Sequence, residues 1–100
     1  MLSADDYDRR DAVGLATLVA VGEVTAAEVV EMGMARIEAT ESPLNGVVTT
    51  CFDDARLDVG AGPLVGPLAG VPYLVKDLNT WVRGMPATNG SRAFVDFVPD

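Results

Sequence analysis

The chain has 100 residues, enough for one small domain that buries roughly two thirds of the surface its unfolded form exposes. With 49% hydrophobic and 22% charged residues it is too apolar for intrinsic disorder. A net charge of −8 argues against a nucleic-acid partner, because phosphate contacts need clustered lysine and arginine.

Met1 to Arg10 is polar and acidic, which is not the pattern of a secretory signal. Asp11 can cap a first helix that runs to about Val21, with Leu15, Leu18 and Val19 on one face and Gly22 as its stop. The longest apolar stretch, Leu15 to Val21, falls far short of the roughly 20 residues a membrane span needs. A cytoplasmic location with no membrane partner is the expectation.

Thr25-Ala26-Ala27-Glu28 is a capping box and predicts a second helix to about Thr40. Val30, Gly33, Met34 and Ile37 recur there at helical spacing and make its apolar stripe, the methionines as packing filler. A glycine inside a helix costs about 1 kcal/mol relative to alanine, so close packing of a neighbour is expected at Gly33.

Ser42-Pro43-Leu44-Asn45-Gly46 is turn chemistry leading into a strand over Val47 to Phe52. Cys51 lies in that run with no second cysteine and no histidine in the chain. It can form neither an internal disulfide nor a metal site, and reads as a buried apolar thiol rather than a nucleophile. Asp53 to Leu57 predicts a short third helix with acidic residues at its N-terminus, where the helix dipole favours them. Val59 to Gly70 is a loop rich in glycine and proline.

Val71 to Val75 is a short apolar run bounded by turn signals, the pattern of a buried strand, with Pro72 sparing one ladder donor at its start. Lys76 continues that run and is expected at the edge of the interior. A lysine drawn into low dielectric shifts towards the neutral amine, which can take and return a proton as a general base. The plainer alternative is that Lys76 reaches out to water or pairs with Asp77.

Leu78 to Arg92 reads as a long loop over the strand's C-terminal end, with a turn at Gly84-Met85-Pro86 and a tighter one at Thr88-Asn89-Gly90. Trp81 is expected to cover the core rather than line a pocket, and Ser91 to cap a short helix. Val98-Pro99-Asp100 has the form of a helix start with Asp100 as a candidate cap. The order α-α-β-α-β predicts a layered α/β domain, and two strands cannot complete its sheet. Their open edges, together with the exposed apolar surface, predict self-association.

The words Gly66-Pro67-Leu68-Ala69-Gly70-Val71-Pro72, then Leu74-Val75-Lys76-Asp77, then Gly84-Met85-Pro86-Ala87-Thr88-Asn89-Gly90-Ser91 resemble the amidase signature family of amide hydrolases. Fainter similarity runs back through the two predicted helices. The resemblance implies a layered α/β/α fold several times longer than this chain, here represented by two helices, a strand, a short helix and the strand bearing the lysine. On that basis residues 1–100 are expected to be the N-terminal fragment of a single larger amidase domain with no internal boundary. The family resembles serine hydrolases without histidine, using a Ser–cis-Ser–Lys triad, and Lys76 matches the triad lysine. The implied reaction is hydrolysis of a carboxamide C–N bond through an acyl-serine, with Lys76 as base, no cofactor and no metal. By the same resemblance the 84–91 segment shapes the site as scaffold, with Asp77 a structural or electrostatic neighbour of Lys76.

The chain lacks the family's Gly/Ser-rich segment that carries the nucleophile, the bridging serine and the oxyanion-hole amides. Its serines are Ser3, Ser42 and Ser91, none in such a loop. The chain alone is therefore expected to be inactive, and the partner in the full-length parent to be a small-molecule amide. Two alternatives stand beside this. One is the amidase subunit of a tRNA-dependent amidotransferase, which frees ammonia from glutamine. The other is a non-catalytic binding module derived from an amidase N-terminus.

Overall fold

A computed structural model describes residues 1–100, the side chains of residues 41 and 42 excepted. The chain folds as four α-helices, α1 Ala4–Asp8, α2 Ala12–Ala20, α3 Ala26–Leu44 and α4 Phe52–Gly60, followed by a loop and a 3-10 turn at Arg92–Phe94. Each of the first three helix starts has a local cause. In α1 the Ser3 hydroxyl accepts from the Asp6 amide at 3.1 Å and donates to the Asp6 carboxylate at 2.6 Å. Asp11 opens α2 by accepting from the Gly14 amide at 2.8 Å. The capping box of α3 is complete: the Glu28 amide donates to Thr25 Oγ1 at 3.1 Å, and the Thr25 amide donates to Glu28 Oε2 at 2.8 Å.

The core is small and lies among α1, α2 and α3. Leu2, Leu15, Val24 and Val29 form its centre, and Tyr7, Leu18, Val19, Met32 and Val71 pack around them. Val29 is fully buried, and burying such a side chain contributes roughly 1.5–3 kcal/mol. Val30 and Met34 are buried beside it, so the predicted stripe faces inward. Gly33 behaves as its position in the helix requires. A Cβ there would lie 3.0 Å from the Tyr7 hydroxyl and 3.1 Å from Pro72 Cγ. The missing side chain lets α1 and the segment after Gly70 both approach α3.

Ion pairs join the helices at the surface. Arg36 reaches Asp8 at 2.7 Å across α3 and α1. Arg56 on α4 grips Glu31 on α3 with two bonds, at 2.6 and 3.1 Å. The Arg56 hydrogen bonds hold the Glu31 carboxyl below its usual range.

The predicted layered α/β fold is not what forms: no strand occurs among the described residues. Residues 45–51 are irregular, and Phe52, placed at the end of a strand by its apolar neighbours, is instead the first residue of α4. Residues 71–76 also carry no ladder. A ladder needs a second strand alongside, and neither run finds one within this chain, so β-rich composition has nothing to pair with. Self-association through strand edges loses its basis with the strands.

Three boundaries differ as well. Helix α3 runs past Thr40 to Leu44, with Pro43 in its last turn, and stops at Asn45, whose φ of 49° is left-handed. Helix α4 extends from the predicted Asp53–Leu57 to Phe52–Gly60. Cys51 sits half-buried at the start of α4, not in a buried strand. Helix α1 has no counterpart in the sequence reading.

Candidate functional site

The segment bearing Lys76 is anchored at its upstream end. The Val71 amide donates to the Leu68 carbonyl at 3.1 Å, closing a turn in which Gly70 takes φ +86°. A Cβ at Gly70 would lie 2.9 Å from Ala26 Cβ and 3.3 Å from Val19 Cγ1. The turn therefore lies directly on α2 and the start of α3, and only glycine suits both its dihedral and its space. Val71 then joins the core and Pro72 lies over Gly33.

Past Pro72 the chain leaves the core. Tyr73 is 82% exposed and Leu74 68%, against the buried strand expected from their apolar character. Lys76 is exposed too, so the desolvation expected for it is absent from this structure. Nor does it pair with Asp77: among the described residues Lys76 makes no ion pair and no hydrogen bond.

Asp77 is occupied elsewhere. Its carboxylate accepts from the Thr88 hydroxyl, from the Thr88 amide at 2.6 Å and from the Asn89 amide at 3.3 Å. Asn89 Oδ1 in turn accepts from the Asn79 amide at 3.1 Å. These bonds close residues 77–89 into a ring whose neck is Asp77, Asn79, Thr88 and Asn89. Three backbone features bend the chain at that neck. Asn79 is left-handed at φ 58°, and Asn89 and Gly90 are left-handed at 51° and 68°. The Ser91 amide donates to the Thr88 carbonyl at 2.9 Å, so 88–91 is a tight turn with both central residues at positive φ.

The Thr88 hydroxyl is the main cause that lowers the Asp77 carboxyl from its usual range, helped by the two amides. The sign of the pH effect follows. A carboxyl with a lowered folded value favours the folded clasp above the ordinary aspartate range, and that contribution is lost as pH falls through the lowered value. Amide exchange at Asn89 should thus stay slow at neutral pH and quicken only on strong acidification. Equal exchange at pH 6 and pH 2.5, after correction for intrinsic rates, would contradict this.

The far side of the ring is held by the chain's last residues. The Gly84 amide donates to the Pro99 carbonyl at 3.0 Å and the Ala87 amide to the Phe97 carbonyl at 3.1 Å. Trp81 meets Phe97 edge-on at 5.2 Å, and Phe94 meets Phe97 at 6.4 Å. Trp81 is 62% exposed, so it covers Phe97 rather than the helical core. Ser91 is a cap as expected: its hydroxyl accepts from the Ala93 amide at 3.2 Å at the start of the 3-10 turn.

No cluster able to hold a metal ion occurs among the described residues. A cleft of about 480 Å³ is lined by apolar residues of α2 and the 62–69 loop, among them Ala16, Ala20, Leu64 and Ala69, with Ala26 of α3 and Val59 of α4. It carries no titratable side chain and does not include Lys76. The turn at residues 88–91 and the Ser91 cap form as the sequence predicts, while the turn predicted at Gly84-Met85-Pro86 closes earlier, from the Met85 amide to the Val82 carbonyl at 3.0 Å. Lys76 is exposed rather than at the edge of the interior, and the ring that ties Asp77 to Thr88 and Asn89 has no counterpart in the sequence analysis. Thr88 and Asn89 before Gly90, with Asp77 upstream, were the available signal, since such side chains bond readily to backbone amides.

The family profile described as Amidase matches residues 28–100. Among curated proteins the chain is similar to a glutamyl-tRNA(Gln) amidotransferase subunit from Lachnospira eligens, 42% identical over 97 aligned residues that cover 88% of this chain and 20% of the relative. It is 40% identical to the protein of that name from Acidothermus cellulolyticus over 94% of this chain and 20% of the relative. It is also 37% identical to the 6-aminohexanoate-cyclic-dimer hydrolase of Paenarthrobacter ureafaciens, over 75% of this chain and 15% of that relative. The chain thus spans about a fifth or less of the length of these curated relatives. No solved structure matches it significantly.

Proposed function

The chain belongs to the amidase family, and from that premise we propose that it serves an amidase that cleaves a carboxamide C–N bond through an acyl-serine, with Lys76 as general base. The observation that carries this is the family match over residues 28–100, which takes in Lys76 and the ring beside it. Residues 1–100 are then the N-terminal part of a single larger amidase domain, in keeping with the fifth of its relatives' length that they span.

The chemistry divides accordingly. A serine outside residues 1–100 supplies the nucleophile, since Ser3 and Ser91 are engaged as helix caps and no serine lies in a Gly/Ser-rich loop. Lys76, as neutral amine, accepts the serine proton through a bridging serine. The serine oxygen then bonds to the amide carbon. As the C–N bond breaks, the lysine proton goes to the departing amine, and water later cleaves the acyl ester to a carboxylic acid. Because Lys76 is exposed here, the low dielectric that favours its neutral form must come from residues packed over it from outside this chain. Exposed Tyr73, Leu74 and Trp81 support such packing, and in the 100-residue chain alone they support self-association.

No helix among the described residues is long and apolar enough to cross a membrane, and a cytoplasmic location belongs to the same proposal. The test is ammonia release from simple carboxamides by the protein that carries this chain, with the 100-residue chain as the inactive comparison. Release by the former alone supports the reading. No release from any carboxamide, glutamine included, contradicts it.

A second reading is favoured by the relatives named as subunits of a glutamyl-tRNA(Gln) amidotransferase. On that reading the amide is glutamine and the protein works beside other subunits. Copurification with partner subunits distinguishes it from a free-standing amidase.

A further inference from the structure

Asp77 is next to the proposed base, yet its carboxylate is directed into the neck of the ring. It collects three donors from Thr88 and Asn89, two of them main-chain amides, on a stretch eleven and twelve residues away in sequence. Main-chain donors fix a carboxylate more tightly than a single flexible partner, because the backbone that carries them is itself held by the 88–91 turn. The second tie, from the Asn79 amide to Asn89 Oδ1, prevents rotation about the first. Upstream, Val71 and Pro72 hold the other end of the short segment against the core and α3. Lys76 lies between these two anchors, with no bond of its own to hold its backbone. Its position along the chain is set by what grips residues 71–72 and 77.

We propose that Asp77 is a positioning residue for Lys76: clamped by Thr88 and Asn89, it fixes the downstream end of the lysine's backbone and, held there, leaves the amine without a carboxylate partner. This rests on the reading of Lys76 as the base. The two consequences act together. An ion pair with Asp77 would hold the proton on the lysine, and a loose backbone would move the amine from the serine it serves.

The test compares Thr88→Val, Thr88→Ser and wild type, first in the 100-residue chain and then in the amidase that carries it. In the chain, amide exchange at Asn79 and Asn89 reads the clamp without reference to activity. Thr88→Val is expected to speed exchange at both by about tenfold or more, and Thr88→Ser, which keeps the hydroxyl, to stay within about threefold of wild type. In the amidase, Thr88→Val is expected to lower kcat by roughly ten- to a hundredfold with KM within about twofold, as for a misplaced catalytic group, and Thr88→Ser to recover most of that loss.

Unchanged exchange in Thr88→Val overturns the clamp. Faster exchange with unchanged kcat overturns the positioning role, as does a loss shared equally by Thr88→Ser or by KM and melting temperature together. The base reading fails separately, if Lys76→Ala retains wild-type turnover while Thr88→Val still loosens Asn79 and Asn89.

Discussion

Replacing Lys76 with alanine is expected to lower carboxamide turnover by roughly 10²- to 10⁴-fold, the range that a positioned proton-transfer group contributes. The structure makes this a clean experiment, because Lys76 is exposed and makes no ion pair or hydrogen bond among the described residues. Within residues 1–100 its removal breaks nothing that holds the fold, so the melting temperature of the 100-residue variant should match that of the wild-type chain. Loss of turnover without loss of stability is the signature of chemistry rather than architecture. Turnover at the wild-type rate in Lys76→Ala would remove the lysine from the mechanism.

The second large effect concerns the hinge that delivers the lysine segment to the core. Gly70→Ala is expected to destabilise the chain by about 2–4 kcal/mol, a large fraction of a small domain's stability. Two penalties add there. At φ +86° an L-residue is strained, and the new methyl would meet Ala26 Cβ at 2.9 Å with Val19 Cγ1 at 3.3 Å. Ala26 cannot swing away, because its Cβ is fixed to the first turn of α3. Gly84→Ala separates the terms: its φ is +77°, but a Cβ would find open space. It should cost only the strain, roughly 1–2 kcal/mol. Urea midpoints that place the two variants within a few tenths of a kcal/mol of each other would show that the Gly70 contact carries no cost.

Local signals in this sequence were legible and non-local ones were not. The Asp11 cap, the Thr25–Glu28 box and the Ser91 cap each lie within four residues of the amides they serve, and each forms as read. Gly33 was legible because a glycine in a helix interior demands a reason, and Tyr7 and Pro72 supply it. The strands failed for the opposite cause. Val47 to Phe52 and Val71 to Val75 have the residues of strands, but a strand is completed by a partner, and no partner strand occurs among the described residues. The same failure explains the exposure of Tyr73, Leu74 and Lys76, whose burial would need a layer laid over them. Helix α1 was missed because Ala4–Asp8 is a single acidic turn with almost no apolar period to read. At the site, the Asp77–Thr88 tie was not legible, because it spans eleven residues and belongs to the folded loop.

The central claim is that Lys76 activates a serine that lies outside residues 1–100. The measurement that tests it most directly is labelling by a serine-directed fluorophosphonate, followed by peptide mapping, in the protein carrying this chain and in its Lys76→Ala variant. The account predicts one labelled serine, distinct from Ser3, Ser42 and Ser91, whose labelling slows by about a hundredfold or more in the variant. Labelling at an unchanged rate in the variant, or no activated serine at all, would contradict it.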